Sequence, residues 1–115
     1  MAGIPDFYRG DTQIYELTIT DENGNPVDIT GATVWFTLKT DKSLPDNEAV
    51  IQKVVTDHVD PANGKTKVVL TADETANLVP NTYYFYDFQI KFQNGDVFTL
   101  IADKVKILED VTKSS

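Results

Sequence analysis

The chain has 115 residues and a formal charge of −8, with 18 acidic residues against 10 basic ones. That balance repels phosphate backbones and argues against nucleic acid as a partner. It has no cysteine, which excludes a disulfide scaffold and a thiolate metal site, and no apolar run approaches the roughly 18 residues of a membrane helix, so no membrane insertion is expected. The opening MAGIPDFYRGD lacks a basic leader followed by an apolar run, so no signal peptide is expected either. Residues 1–8, with Ile4, Phe7 and Tyr8, read as an N-terminal arm or edge strand.

From Thr12 to Thr20 the text alternates as a half-buried strand requires, with Tyr15, Leu17 and Ile19 on the inner side. Asp21-Glu22-Asn23-Gly24-Asn25-Pro26 reverses the chain. Ala32, Val34, Phe36 and Leu38 then form an inward series opposed by Thr33, Trp35, Thr37 and Lys39. Residues 40–48 make the longest loop, and 49–57 another strand in which Ile51 and Val55 compete with Val50 and Val54 for the core. After the turn Pro61-Ala62-Asn63-Gly64, the strand 65–71 points Thr66, Val68 and Leu70 inward. Thr71 caps the only helical text, a short turn near 72–78 with Asp73 and Glu74 where the helix dipole favours acids.

The segment 81–108 is a hairpin built around Asn94-Gly95, a dipeptide suited to a tight two-residue turn. Extended without a bulge, that turn pairs Phe92 with Val97, Ile90 with Thr99, Phe88 with Ile101, Tyr84 with Val105 and Thr82 with Ile107 on the core side. The opposite side receives Tyr83, Phe85, Asp87, Gln89 and Lys91 together with Phe98, Leu100, Ala102, Lys104 and Lys106. The tail 109–115 loses periodicity and is expected to fray. About seven alternating strands with almost no helix predict one all-β domain over 1–115, an immunoglobulin-like β-sandwich, with a small barrel as the other architecture. Tyr83 or Tyr84 stands where such sandwiches place a tyrosine corner.

Catalytic chemistry is not written in this chain. The single histidine, His58, has no nucleophile placed beside it and reads as a turn residue; the glycines stand alone at bends rather than in a phosphate loop. Asp21–Asn25 lacks the glycine and glutamate spacing of a calcium loop, and Arg9-Gly10-Asp11 reads as a turn rather than an adhesion tripeptide. No enzyme activity, cofactor or metal is therefore expected.

What stands out is a face. If the strand of Trp35 lies beside that of Tyr83 and Phe85, and the hairpin register holds, Trp35, Tyr83, Phe85, Phe98 and Leu100 emerge together. Gln89, Lys91, Lys104 and Lys106 then form the rim. Such a face predicts a protein interface, unless the arm, the 40–48 loop or lysine stems cover it. The alternative is carbohydrate or host-surface adhesion through Trp35 and the 40–48 loop, which needs Trp35 or Tyr83 standing clear of its neighbours, with Asp87 and Gln89 as the polar groups beside it.

Several stretches are familiar. Arg9-Gly10-Asp11-Thr12, the run Thr20 to Ala32 with its DENGNP turn, Asp60-Pro61-Ala62-Asn63-Gly64-Lys65, and Leu70 to Leu78 leading to Tyr83-Tyr84-Phe85-Tyr86-Asp87 resemble small domains of tailed bacteriophages and prophages. They are similar to the N-terminal domain of baseplate upper proteins and to related tail-fibre attachment modules, over about residues 8–108. The resemblance implies a virion structural protein found in the tail or baseplate, or in the bacterial cytoplasm before assembly. Its implied partners are other phage tail or baseplate proteins, or copies of itself in a homo-oligomer.

Overall fold

The computed structural model describes residues 3–111, so the part of the tail from 112 onward that is expected to fray lies outside the described residues. Seven strands and one helix follow in the order β1 (Phe7–Tyr8), β2 (Gln13–Thr18), β3 (Thr33–Lys39), β4 (Ile51–Val55), β5 (Lys65–Leu70), α1 (Ala72–Ala76), β6 (Thr82–Lys91) and β7 (Val97–Leu108). The all-β sandwich read from the sequence is the observed architecture: a five-stranded sheet β1-β7-β6-β3-β4 packs against the two-stranded sheet β2-β5. Among the described residues no helix is long and apolar enough to cross a membrane.

Strand alternation builds the core. Val34, Phe36 and Leu38 of β3 and Tyr84, Tyr86, Phe88 and Ile90 of β6 are buried, and Leu17, Val68 and Leu70 meet them from the second sheet. Phe36 and Phe88 lie 4.9 Å apart between ring centroids, and Tyr15 packs edge-on to Phe88 at 5.8 Å. In β4 the open choice is settled by pairing: Leu38 opposes Ile51 and Val34 opposes Val55, which turns both inward and leaves Val50 and Val54 exposed. Lys53 shares that inner side, and its ammonium reaches Glu74 of α1 at 3.0 Å.

The helix starts as its text requires. The Thr71 hydroxyl accepts from the Glu74 amide at 3.2 Å while the Glu74 carboxylate accepts from the Thr71 amide at 2.9 Å, a reciprocal capping box. Downstream, the Tyr84 hydroxyl accepts from the Val79 amide at 2.8 Å, so Tyr84, not Tyr83, makes the corner contact.

The β6–β7 hairpin departs from its expected turn. The Phe92 amide donates to the Asp96 carbonyl at 2.8 Å and the Gly95 amide to the Phe92 carbonyl at 2.9 Å, which leaves Gln93, Asn94 and Gly95 in the loop. Only Gly95 is left-handed, with φ 97°, because the Asn94 side-chain oxygen accepts from the Asp96 amide at 3.0 Å and holds Asn94 in the ordinary region. The extra loop residue slides the near half of the ribbon by one position, pairing Ile90 with Phe98 and Gln89 with Thr99. A bulge at Leu100 absorbs the slip, and from Phe88–Ile101 to Thr82–Ile107 the register is the expected one.

Gly64 carries the tightest turn. At φ 73°, a Cβ there would collide with the Ile19 carbonyl oxygen and come within 2.7 Å of that of Val27. Gly64→Ala is expected to cost about 2–4 kcal/mol in denaturant unfolding, from left-handed strain added to a backbone clash that no side-chain rotation relieves. Tyr15→Phe should behave in the opposite sense. The Tyr15 hydroxyl is buried without a hydrogen-bond partner among the described residues, and burial raises its pKa. Removing that oxygen is expected to leave stability unchanged or raise it by about 1 kcal/mol in the same measurement.

Candidate functional site

The outer face of the five-stranded sheet collects only part of the expected cluster. Trp35, Tyr83 and Phe85 leave it together, because β3 pairs antiparallel with β6 and the far half of the hairpin keeps its register. Phe98 and Leu100 do not. The slip sends Phe98 to the side of Ile90, where it remains 55% exposed and meets Phe92 edge-on at 5.8 Å, and the bulged Leu100 packs against the core. The rim residues Gln89, Lys91, Lys104 and Lys106 are on the outer side, opposite Thr99, Val97, Phe85 and Tyr83 respectively.

Register arranges the outer side chains in transverse rows. Val54, Trp35 and Gln89 make one row; Gln52, Thr37, Asp87 and Ala102 the next; Lys39, Phe85 and Lys104 a third. The middle row is built mainly of short side chains and its neighbours of long ones, so a trench of about 600 Å³ runs across the strands with Asp87 on its floor. Residues 40–48 form one wall. The Lys39 ammonium donates to the Leu44 carbonyl at 2.7 Å and to the Asp46 carboxylate at 2.9 Å, which folds that loop over the face. Neither the trench nor its floor is visible in any single strand, since both arise from the alignment of four.

Lysine ammonium groups lie over two of the rings. Lys42 lies 6.0 Å from the Phe85 centroid, and Lys104 and Lys106 lie 5.1 and 5.9 Å from that of Tyr83, which is still 52% exposed. The Asp87 carboxylate has no hydrogen bond or ion pair among the described residues. Burial pushes its pKa above the usual aspartate range; the Lys39 ammonium opposes that rise and Asp46 adds to it.

Other groups singled out in the sequence have structural duties. His58 bridges two segments: Nε2 donates to the Ala32 carbonyl at 2.7 Å, and Nδ1 meets the Thr66 hydroxyl at 2.8 Å. Arg9 turns inward, its guanidinium donating to the Asp110 carboxylate at 3.0 Å and to the Ala76 carbonyl, so Arg9-Gly10-Asp11 presents no free arginine. The Asp21 carboxylate accepts from the amides of Asn23 and Asn25, both at 2.9 Å, as an Asx turn does. Among the described residues no group of three acidic or histidine side chains is placed to hold a metal ion.

A family model described as the BppU N-terminal domain matches residues 2–79. The matched stretch contains Trp35, Thr37 and the 40–48 wall, whereas the β6–β7 hairpin that supplies Asp87 and Phe85 lies beyond it. No curated protein matches the chain.

The pKa of Asp87 sets a stability trend. A carboxyl whose pKa is raised by folding contributes stability below the ordinary aspartate range, and that contribution is lost as pH rises through the folded value. Asp87→Asn is therefore expected to melt at or above the wild-type temperature at pH 7, with the difference shrinking toward pH 3. Thermal scans across that range check it, and an asparagine variant markedly less stable at pH 7 would show instead that the carboxylate is held by the fold.

Proposed function

Because the chain belongs to the BppU N-terminal domain family, a family of phage baseplate upper protein domains, we propose that it works as a non-enzymatic assembly module of a phage or prophage baseplate. Its contacts are with other baseplate or tail proteins in the virion, and the docking surface is the outer face of the five-stranded sheet, centred on Trp35, Tyr83 and Phe85.

One observation carries the choice of surface. Apart from Phe98 near the hairpin loop, the inner faces of both sheets are spent on the core, while the outer face of the larger sheet keeps three aromatic side chains and a trench that its own loop borders without filling. Trp and Tyr suit a contact that is apolar at its centre and wet at its edge. Lys104 and Lys106 beside Tyr83 supply the polar rim that such contacts carry. The carbohydrate-adhesion alternative gains nothing from the family match.

Hydroxyl-radical footprinting compares the isolated chain with purified tail particles that contain it. Oxidation of Trp35, Tyr83 and Phe85 is expected to fall several-fold in the particle, while Ile14, 58% exposed on the two-stranded sheet, keeps its reactivity. Outer-face rings that react as fast in the particle as in solution would remove this surface from the assembly.

A further inference from the structure

We propose that the trench over Asp87 receives an arginine side chain presented by a different protein chain, with the guanidinium lying on the Trp35 indole and donating to the Asp87 carboxylate. This deepens the docking role proposed above and rests on it.

The floor of the trench asks for a cation. Asp87 is flanked in its row by Thr37 and Ala102, neither of which carries charge, and Gln52 spends its amide on the Thr37 hydroxyl at 3.2 Å. The nearby lysines are committed elsewhere: Lys39 to the Leu44 carbonyl and Asp46, Lys42 to the Phe85 ring, Lys104 to the Tyr83 ring. Among the described residues no cation of this chain lies over Trp35, although indole is the strongest π-acceptor of the three rings. Among the described residues, a carboxylate with no hydrogen bond or ion pair and an indole with no cation over it thus occupy diagonal positions on adjacent strands, two residue pairs apart in the β3–β6 ladder.

A guanidinium fits that pair better than an ammonium does. It is planar, weakly hydrated and able to stack on an aromatic face while its edge donates two parallel hydrogen bonds to a carboxylate. The source is equally constrained. Arg9 is the only arginine of the chain, and it is held by Asp110 and the Ala76 carbonyl, so a second copy has none to offer. A net charge of −8 favours approach of a basic partner over self-association.

Trp35 is the sole tryptophan, so its emission reports the trench directly. The experiment titrates the full chain with N-acetyl-arginine methylamide and, in parallel, with the isosteric citrulline compound, in wild type and Asp87→Asn. A saturable change with the arginine compound is expected, with little response to citrulline and an apparent affinity weakened about fivefold or more in Asp87→Asn. Thermal melts of the variant confirm that it is folded. A response that fails to saturate, that citrulline reproduces, or that survives undiminished in Asp87→Asn overturns the proposal. Protection of Trp35 in tail particles together with no arginine response overturns the arginine alone and leaves the docking face standing.

Discussion

The placement of β6 between β3 and β7 is the constraint on which the rest of the molecule depends. This strand buries Tyr84, Tyr86, Phe88 and Ile90 on one side, and each such burial is worth about 1.5–3 kcal/mol. A slip of one residue would exchange those four for Tyr83, Phe85, Asp87 and Gln89 and drive a carboxylate into the core. The sum of four large apolar burials far exceeds the cost of leaving Asp87 half covered by its neighbours. The outer face is thus the mirror of the inner one, and Asp87 sits where it does because Tyr86 and Phe88 must be inside.

Where alternation is strong and both faces are distinct, the residues alone place the chain correctly. β3, β5 and the far half of the hairpin read true, and so does the capped helix, since Thr71 and Glu74 satisfy each other locally. The near half of the hairpin reads falsely for a local reason: Asn94 can either enter the left-handed region or spend its side chain on the Asp96 amide, and the two choices differ by one loop residue. That difference moved Phe98 to the other face. β4 could not be placed from its own text because Val, Ile and Lys alternate weakly there, and only the pairing of Leu38 with Ile51 decides it.

The candidate site was half legible. Trp35, Tyr83 and Phe85 are bulky residues at alternating positions, which pattern alone reveals. The trench between them is a property of registry across four strands, with Thr37, Asp87 and Ala102 aligned as low points between taller rows. Its wall depends on Lys39 gathering Leu44 and Asp46, contacts that composition does not announce. The family match stops at residue 79, so one side of the trench belongs to the matched segment and the other to the ribbon that follows.

β1 runs parallel to the last residues of β7, pairing Phe7 with Ile107 and Tyr8 with Leu108, and Arg9 grips Asp110 just beyond. Tension drawn along β7 past Asp110 therefore meets its neighbours in shear: the ladder to β6, the short ladder to β1 and the guanidinium clamp share the load at once. A force applied across the strands at the same end would instead unzip the ladders one bond at a time. The small N-terminal strand thus ties the end of β7 back to the start of the fold.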